Sequence, residues 1–182
     1  CDVNKLTKAL TTTADKIFET LKLRVCSEQQ APPLGVVALG KWGGREIGLK
    51  SDLDFVFISE NPLDANTQKI SKRMISRLTE SHRGGSIYPI DLRLRPSGNS
   101  GPMVVSSKQL SEFLLNHAPA WQRQAYTRAR CIGVEINQLA ELIVTKALTT
   151  SDFQELRSIH KQLFLANNTR TIDSVDLKFC LG

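Results

Sequence analysis

The spacing of hydrophobic residues predicts a leading helix, two central strands and a second helix in the first half of the chain. Residues 1–30 carry apolar side chains three or four positions apart, as an amphipathic helix requires. Residues 35–39 and 55–58 are short apolar runs, and the second lacks alternation, which is typical of a strand covered on both faces. Residues 64–83 return to helical spacing and are followed by two glycines. The apolar stripes of the two helices consist of Leu6, Leu10, Ala14, Ile17 and Leu21, and of Ile70, Met74 and Leu78.

Residues 90–95 alternate between apolar and charged side chains, which predicts a strand with one apolar and one polar face. The polar face would carry Asp91, Arg93 and Arg95 in a row. Residues 96–102 consist entirely of Pro, Gly, Ser and Asn. We therefore expect an irregular loop there, which could act as a mobile lid.

The remainder of the chain is predicted to be helical. Capping-box patterns begin at Ser106 and Ser151, and Pro119 suits the first position of a helix. On the helix that begins at Pro119, the apolar stripe places Trp121 in the core and turns Arg128 toward the protein rather than toward water.

Composition narrows the classes of protein to consider. A chain of 182 residues, 41% hydrophobic and 23% charged, is long enough for a globular domain with a core. No apolar run reaches the length of a membrane span, and the first residues lack the pattern of a signal peptide, so no membrane partner is expected. The four cysteines have no paired spacing, which favours a cytoplasmic location. The net charge of +6 favours an anionic partner, whereas the 6% aromatic content makes single-stranded nucleic acid unfavoured.

Two acidic residues stand where the second strand begins. Strand alternation puts the side chains of Asp52 and Asp54 on one face, with Cα atoms roughly 6.5–7 Å apart. Carboxylates at the end of a buried strand need a cation, and this spacing suits a hard divalent ion, Mg²⁺ before any softer metal. Asp91 would complete the cluster from a neighbouring strand. We therefore predict Asp52, Asp54 and Asp91 as metal ligands and catalytic residues, with Asp91 also able to take a proton from the attacking group.

The residues around this cluster are suited to phosphate. A glycine pair after the first strand allows backbone N–H groups to approach a phosphate, and arginines neutralise phosphates through bidentate contacts. For Arg128, a nucleotide-facing role and an ordinary solvated or ion-paired role are equally favoured, and Ser51 either assists through its hydroxyl or shapes the turn. Metal-dependent nucleotidyl transfer is the chemistry indicated. The predicted nucleotide- or phosphate-binding residues are Gly43, Gly44, Ser51, Arg93, Arg95 and Arg128.

Four motifs, in this order, resemble the nucleotidyltransferase domain of glutamine synthetase adenylyltransferase: LGKWGGREIGLKSDLDFVF, YPIDLRLRPSGNSG, AWQRQAYTRAR and VDLK. The resemblance extends from about residue 34 to the end of the chain. It implies a DNA polymerase β-like nucleotidyltransferase fold of the α+β class, a small mixed sheet flanked by helices with a C-terminal helical part. By this resemblance Gly43 and Gly44 match the phosphate-binding turn, Asp52 and Asp54 the metal pair, and Asp91 the third carboxylate.

The resemblance also implies how the chain is organised. We expect one nucleotidyltransferase domain, with a leading helix at 1–30, a catalytic sheet core at 31–105 and a helical part at 106–182. We further expect the chain to be a fragment of a longer protein, because the family continues into a further helical domain.

The family protein carries two such domains, one transferring AMP from ATP to a tyrosine of glutamine synthetase and one removing AMP by phosphorolysis. The Arg-Pro-Ser-Gly sequence at 95–98 resembles the adenylylating copy, since the deadenylating copy more often has Phe where Ser97 stands. The resemblance implies Mg²⁺ or Mn²⁺ as cofactor, ATP as substrate and glutamine synthetase as protein partner. It also implies contact with a small nitrogen-signalling protein through segments outside this chain.

Other functions stay open at this point. The chain could be the deadenylating copy, or a catalytically silent module that binds ATP as a sensor. Glycosyltransferases also use Asp-x-Asp, but the upstream glycine pair and the Asp-Arg-Arg row count against that class. Nucleic-acid polymerisation is weaker still, because no motif for tracking a strand is present.

Overall fold

The computed structural model describes residues 2–31, 34–81, 85, 87–132, 154–159 and 161. The helices are α1 (Val3–Gln29), α2 (Gly40–Gly43), α3 (Ala65–Thr79), α4 (Ser107–Asn116) and α5 (Ala120–Tyr126). The strands are β1 (Gly35–Ala38), β2 (Leu53–Ile58), β3 (Ile90–Asp91), β4 (Val104–Val105) and β5 (Arg130–Ile132). Residues 98–100 form a short 3₁₀ turn, and residues 154–159 are helical.

The strands form one small mixed sheet with β1 and β2 at its centre. Strand β1 pairs antiparallel with β2 on one side and with β5 on the other. Strand β2 pairs in parallel with both β3 and β4, which lie end to end along its outer side, β3 at its beginning and β4 at its end. The predicted mixed sheet flanked by helices is thus confirmed.

Helices cover both faces of the sheet. On one face Phe55 and Phe57 of β2 pack with Phe18 of α1 and with Met74 and Leu78 of α3. On the other face alternate residues of the same strands pack with α4 and with Tyr126 of α5. Since side chains of a strand alternate between faces, an unbroken apolar run is what a strand covered on both sides requires. The prediction made for residues 55–58 is confirmed.

Helix α1 has the predicted extent, but its buried face is offset from the predicted stripe. Asp2 caps its first turn, and Ala14 and Phe18 are fully buried, whereas Leu6 is 42% exposed. The offset brings Lys22 into the core as well, with 1% of its surface exposed. Helix α3 buries the predicted face, Ile70, Met74 and Leu78, and Ser106 forms the predicted capping box with Gln109 at the start of α4. Among the described residues, no helix is both long enough and apolar enough to cross a membrane.

Three expectations about local structure are wrong. The strand predicted over 90–95 ends at Asp91, and the chain then turns. The part predicted to be helical, residues 106–182, is not wholly so, because residues 130–132 form strand β5. Helix α5 ends at Tyr126 and does not continue to Ile132, so the stripe on which Trp121 was placed does not exist, and Trp121 is 48% exposed. The predicted capping box at Ser151 and most of the predicted helical part beyond residue 132 lie outside the described residues.

Candidate active site

Three aspartates converge where strands β2 and β3 run side by side. Asp54 and Asp91 are register partners on the two parallel strands, and Asp52 precedes β2 by one residue. Ligand atoms from the carboxylates of Asp52, Asp54 and Asp91 all lie within 4.8 Å of one another, and all three residues are partly buried. Like charges this close disfavour one another unless a cation lies among them. The structure therefore brings together the three predicted metal ligands, and their role as ligands stays a prediction.

The geometry fits a hard divalent ion. Carboxylate oxygens are the donors preferred by Mg²⁺, with bonds of about 2.0–2.1 Å, so two oxygens on opposite sides of one ion stand about 4.2 Å apart. The ligand atoms of the Asp52–Asp54–Asp91 cluster lie no more than 4.8 Å apart, which is compatible with such an arrangement. Ca²⁺ or Mn²⁺ would be accommodated on the same grounds, whereas a soft metal would need sulfur or nitrogen ligands.

Arg93 neutralises part of this acidic cluster. Its Nε donates to both carboxylate oxygens of Asp91, at 3.0 and 2.8 Å, and its backbone N–H donates to Asp91 Oδ1 at 2.8 Å. Hydrogen bonding to Asp91 and the charge of that carboxylate raise the pKa of the Arg93 guanidinium, with smaller contributions from Asp54 and Asp52. The guanidinium is otherwise exposed to solvent. Arg93 is thus a fixed cation at the edge of the cluster, open to an anionic ligand.

The glycine turn between β1 and β2 approaches the cluster through Gly40. Gly40 has φ +53°, and a β-carbon there would lie 2.3 Å from Asp54 Oδ2. Sequence reasoning assigned Gly40 no role in the site. The two predicted phosphate-binding glycines have their N–H groups engaged within the turn, since Gly43 N–H donates to the Leu39 carbonyl at 2.8 Å and Gly44 N–H to the Gly40 carbonyl at 3.0 Å. Their role toward phosphate stays a prediction.

Arg95 is held inside the loop that follows β3. It is 6% exposed and donates to the carbonyl oxygens of Leu92 at 2.9 Å, Asn99 at 3.3 Å and Gly101 at 3.5 Å. Burial lowers the pKa of the Arg95 guanidinium, although the charge of Asp91 opposes this. The loop at 96–102 is therefore organised around a buried cation, and the mobile lid that its composition suggested stays a prediction. Arg95 still borders the site, where it lines the cavity described below.

Arg128 and Ser51 both have protein partners. Arg128 Nη1 donates to Glu46 Oε2 at 2.6 Å, in an ion pair whose side chains are both more than half exposed. The Arg128 side chain also lies close to Gly44, since a β-carbon added to this glycine would be 3.2 Å from Arg128 Cδ. The Ser51 hydroxyl oxygen accepts the N–H of Gly48 at 2.9 Å, which shapes the turn before Asp52. A phosphate role for either residue stays a prediction.

Helix α5 supports the loop after β3, a function that sequence reasoning did not assign. Gln122 donates to the carbonyl of Arg93 at 3.4 Å, and the Tyr126 hydroxyl donates to the carbonyl of Leu94 at 2.9 Å. Burial raises the pKa of the Tyr126 phenol, which therefore stays protonated and keeps donating. The sequence signal available was the pair of polar residues four apart on the buried side of α5.

A cavity of about 590 Å³ opens beside the aspartates. Its polar side includes Asp52, Asp91 and Arg93, and its apolar side includes Ile90 and Met103. This volume lies in the range of small-molecule sites, in which a mostly apolar wall with a few polar groups fixes the orientation of the ligand.

Comparison with known proteins shows matches to one family. The family model described as glutamate-ammonia ligase adenylyltransferase matches residues 1–146. A protein of Bordetella pertussis named bifunctional glutamine synthetase adenylyltransferase/adenylyl-removing enzyme is 42% identical over 102 residues, which cover 54% of this chain and 11% of that protein. Proteins of the same name from Chromobacterium violaceum and Aromatoleum aromaticum are 33% identical over 142 residues and 28% identical over 191 residues. The aligned residues cover 70% of this chain and 16% of the Chromobacterium violaceum protein, and 89% of this chain and 20% of the Aromatoleum aromaticum protein.

The chain therefore spans between 11% and 20% of the length of these relatives. The resemblance inferred from the four motifs is confirmed. With residues 1–146 of 182 matched by the family model, the chain belongs to the glutamate-ammonia ligase adenylyltransferase family.

Proposed function

We propose that this chain is a metal-dependent nucleotidyltransferase domain that transfers AMP from ATP to a tyrosine of glutamine synthetase. The observation that carries the proposal is the convergence of the Asp52, Asp54 and Asp91 carboxylates within 4.8 Å. The names of the relatives, which refer to adenylyl transfer and removal on glutamine synthetase, supply the substrate class.

The residues present fit the expected cofactor. Asp52, Asp54 and Asp91 would hold Mg²⁺ or Mn²⁺, since all three offer hard oxygen donors at suitable separations. The ion, when bound, supplies Lewis-acid activation at phosphate and neutralises negative charge that develops in the transition state.

Residues of the chain would neutralise the phosphates of ATP and take the proton from the attacking tyrosine. Arg93, fixed against Asp91 and otherwise exposed, is placed to neutralise the phosphates of ATP through its free N–H groups. A new bond forms between the tyrosine oxygen and the α-phosphorus, the bond from that phosphorus to the bridging oxygen breaks, and pyrophosphate leaves. Asp91 takes the phenolic proton. The adjoining cavity, with its apolar wall, provides space for an organic group next to the carboxylates.

The test supplies the full chain with Mg²⁺, ATP labelled at the α-phosphate, and unmodified glutamine synthetase. Label transferred to the glutamine synthetase subunit, with release of one pyrophosphate for each AMP, is expected. In a parallel reaction the chain receives AMP-modified glutamine synthetase and inorganic phosphate without ATP. Release of ADP in that reaction alone would assign the chain to the reverse, phosphorolytic direction.

A calorimetric titration separates these outcomes from a non-catalytic role. Binding of Mg-ATP with neither transfer nor phosphorolysis would make the domain a nucleotide sensor. Absence of divalent-ion binding to the wild-type chain, titrated with Mn²⁺ in the presence of ATP, would overturn the metal-dependent proposal altogether.

A further inference from the structure

The glycine turn beside Asp54, helix α2 (Gly40–Gly43), contacts residues of helix α1 and strand β5 on the side away from Asp54. Trp42, the third residue of α2, is fully buried and packs against Phe18 of α1 at a centroid distance of 4.9 Å and against Phe55 of β2 at 5.8 Å. Phe55 follows Asp54 directly in the chain. The turn is thus wedged between the metal-site strand and the leading helix.

Three side chains close this arrangement with hydrogen bonds. Trp42 Nε1 donates to Asp15 Oδ1 at 2.7 Å. Arg130 donates to both oxygens of Asp15, from Nη1 to Oδ2 and from Nη2 to Oδ1, each at 2.9 Å. Arg130 Nη2 also donates to the carbonyl of Trp42 at 3.2 Å. We call Asp15, Trp42 and Arg130 the Asp15 clamp, which links α1, α2 and β5.

The Asp15 clamp is mostly withdrawn from water, since the side chains of Asp15 and Arg130 are 19% and 20% exposed. A bidentate guanidinium–carboxylate pair of this kind is directional and has low freedom to reorient. It therefore fixes the position of Trp42, and with it the whole four-residue turn.

The position of the turn matters because the turn touches the metal-site strand at two points. Leu39 N–H donates to the backbone carbonyl of Asp54 at 2.8 Å, and Gly40 leaves no space for a β-carbon against Asp54 Oδ2. A displacement of Trp42 would be transmitted through two or three residues to the Asp54 carboxylate. In a close-packed interior such shifts are passed on and not absorbed.

We propose that Asp15 is a positioning residue for the nucleotidyl-transfer site, acting through Trp42 and the glycine turn to set the Asp54 carboxylate. The effect on metal affinity rests on the proposed function, whereas the effect on the turn does not. Residues that orient metal ligands without touching the ion commonly change affinity by about 10–100-fold when they are altered.

The test compares Asp15→Asn with the wild-type chain by two measurements on the full chain. In the metal-free chain, hydrogen exchange of the Leu39 amide is expected to accelerate by about tenfold or more, while amides of β2 keep their rates, because only the turn is released. In the second measurement, the dissociation constant for Mn²⁺ with ATP present, taken well below the unfolding temperature, is expected to rise by about tenfold.

Glu28→Gln is the matched control. Glu28 also lies on α1 and forms an ion pair with a residue of another helix, Arg73 of α3 at 3.7 Å, away from the glycine turn. It is expected to leave both the Leu39 exchange rate and the Mn²⁺ affinity unchanged.

Asp15→Asn leaves the Arg130 charge without its carboxylate, and this could prevent folding. The double variant Asp15→Asn/Arg130→Gln removes both charges and keeps polar side chains, and the same two changes are expected from it. An unchanged Leu39 exchange rate, or one that increases only in step with the β2 amides, would overturn the positioning role. If the wild-type chain binds no Mn²⁺, the proposed function fails while the exchange measurement still decides the role of Asp15.

Discussion

Gly40 and Asp54 are in such close approach that the glycine has no room for a side chain. A β-carbon on Gly40 would lie 2.3 Å from Asp54 Oδ2 and 3.1 Å from Asp54 Cγ, and the backbone of Gly40 has φ +53°, where L-residues are strained. Two independent requirements for glycine therefore meet at one position. Both result from the way the turn between β1 and β2 folds back on the beginning of β2.

Replacement of Gly40 by alanine should displace the Asp54 carboxylate. The left-handed conformation alone costs about 1–2 kcal/mol, and the contact with Oδ2 adds to this. We expect a lower melting temperature and a loss of Mn²⁺ affinity of at least about tenfold, measured by titration below the unfolding temperature.

Gly98→Ala is the control for backbone strain. Gly98 has nearly the same φ, +54°, but a β-carbon there would meet only Arg93 O, at an ordinary 3.5 Å. It should lower stability by a similar strain energy and leave Mn²⁺ affinity unchanged. Equal losses of Mn²⁺ affinity in both variants would show that the contact with Asp54 has no part in metal binding.

Replacement of Asp54 by asparagine should remove catalysis while the fold persists. The change is isosteric and takes one negative charge out of a cluster whose ligand atoms lie within 4.8 Å. We expect a loss of AMP transfer of roughly 10²–10⁴-fold, equivalent to about 3–5 kcal/mol of transition-state stabilisation. The melting temperature in the absence of metal should be unchanged or higher, because repulsion among the carboxylates is relieved.

Asp64→Asn provides the comparison for Asp54→Asn. Asp64 caps helix α3 by accepting the N–H of Thr67 at 2.9 Å, and asparagine is an equally good capping residue. Stability and AMP transfer should both stay at wild-type levels in that variant. Wild-type transfer in Asp54→Asn would mean that Asp54 is not a metal ligand.

The parts of the structure that the sequence predicted well depend on local pattern. The unbroken apolar run at 55–58 follows from one local rule, that strand side chains alternate between two faces and here both faces are covered. The same alternation places Asp52 and Asp54 on one side. The capping box at Ser106 and the buried face of α3 are likewise determined within a few residues. These features can therefore be predicted without knowledge of how distant segments of the chain pack.

The features that sequence reasoning missed depend on contacts between distant segments. The strict alternation at 90–95 is typical of a strand, but strand β3 ends at Asp91. The chain then turns, and Arg95 donates hydrogen bonds to three backbone carbonyl groups of that turn. The spacing after Pro119 resembles a continuous helix, but the chain leaves α5 at Tyr126 to pair β5 with β1. The importance of Gly40 and the Asp15 clamp could not be predicted, because both arise from segments that meet only in the folded chain.

Replacement of Arg95 by lysine should loosen the loop after β3. The guanidinium reaches the carbonyls of Leu92, Asn99 and Gly101 in different directions, whereas a single ammonium group on a different stem cannot satisfy all three. A buried acceptor left without a donor costs about 1–3 kcal/mol. We expect a decrease of that size in the free energy of unfolding by urea denaturation, and faster proteolysis within residues 96–102.

Arg93→Lys is the companion to Arg95→Lys. Arg93 is exposed, and its side chain contacts Asp91 rather than the carbonyls of the loop. Its substitution should leave the free energy of unfolding within about 0.5 kcal/mol of the wild type, as is usual at surface positions. A loop equally resistant to proteolysis in Arg95→Lys and in the wild type would contradict the organising role of Arg95.

The buried Lys22 should make stability depend on alkaline pH. Its ammonium group lies 3.4 Å from the carbonyl oxygen of Ile132, and burial lowers its pKa below the ordinary 10.5, although Glu19 and Cys26 oppose the shift. Between the lowered pKa of the folded chain and 10.5, the unfolded chain binds more protons than the folded one. The contribution of Lys22 to the free energy of unfolding therefore rises with pH across that window, by at most about 1.4 kcal/mol per pH unit.

Lys22→Met should remove this contribution and raise stability at neutral pH, because methionine fills the same elongated space without a charge to desolvate. Urea denaturation at a series of pH values from 7 to 10.5 measures both effects. The contribution of Lys22 is the difference between the free energies of unfolding of the wild type and of Lys22→Met at each pH. Lys16→Met, an exposed lysine on the same helix, should retain the wild-type profile. Parallel profiles for Lys22→Met and the wild type would mean that Lys22 has the same pKa in the folded and unfolded chain, and that its charge reaches water in spite of its position in the core.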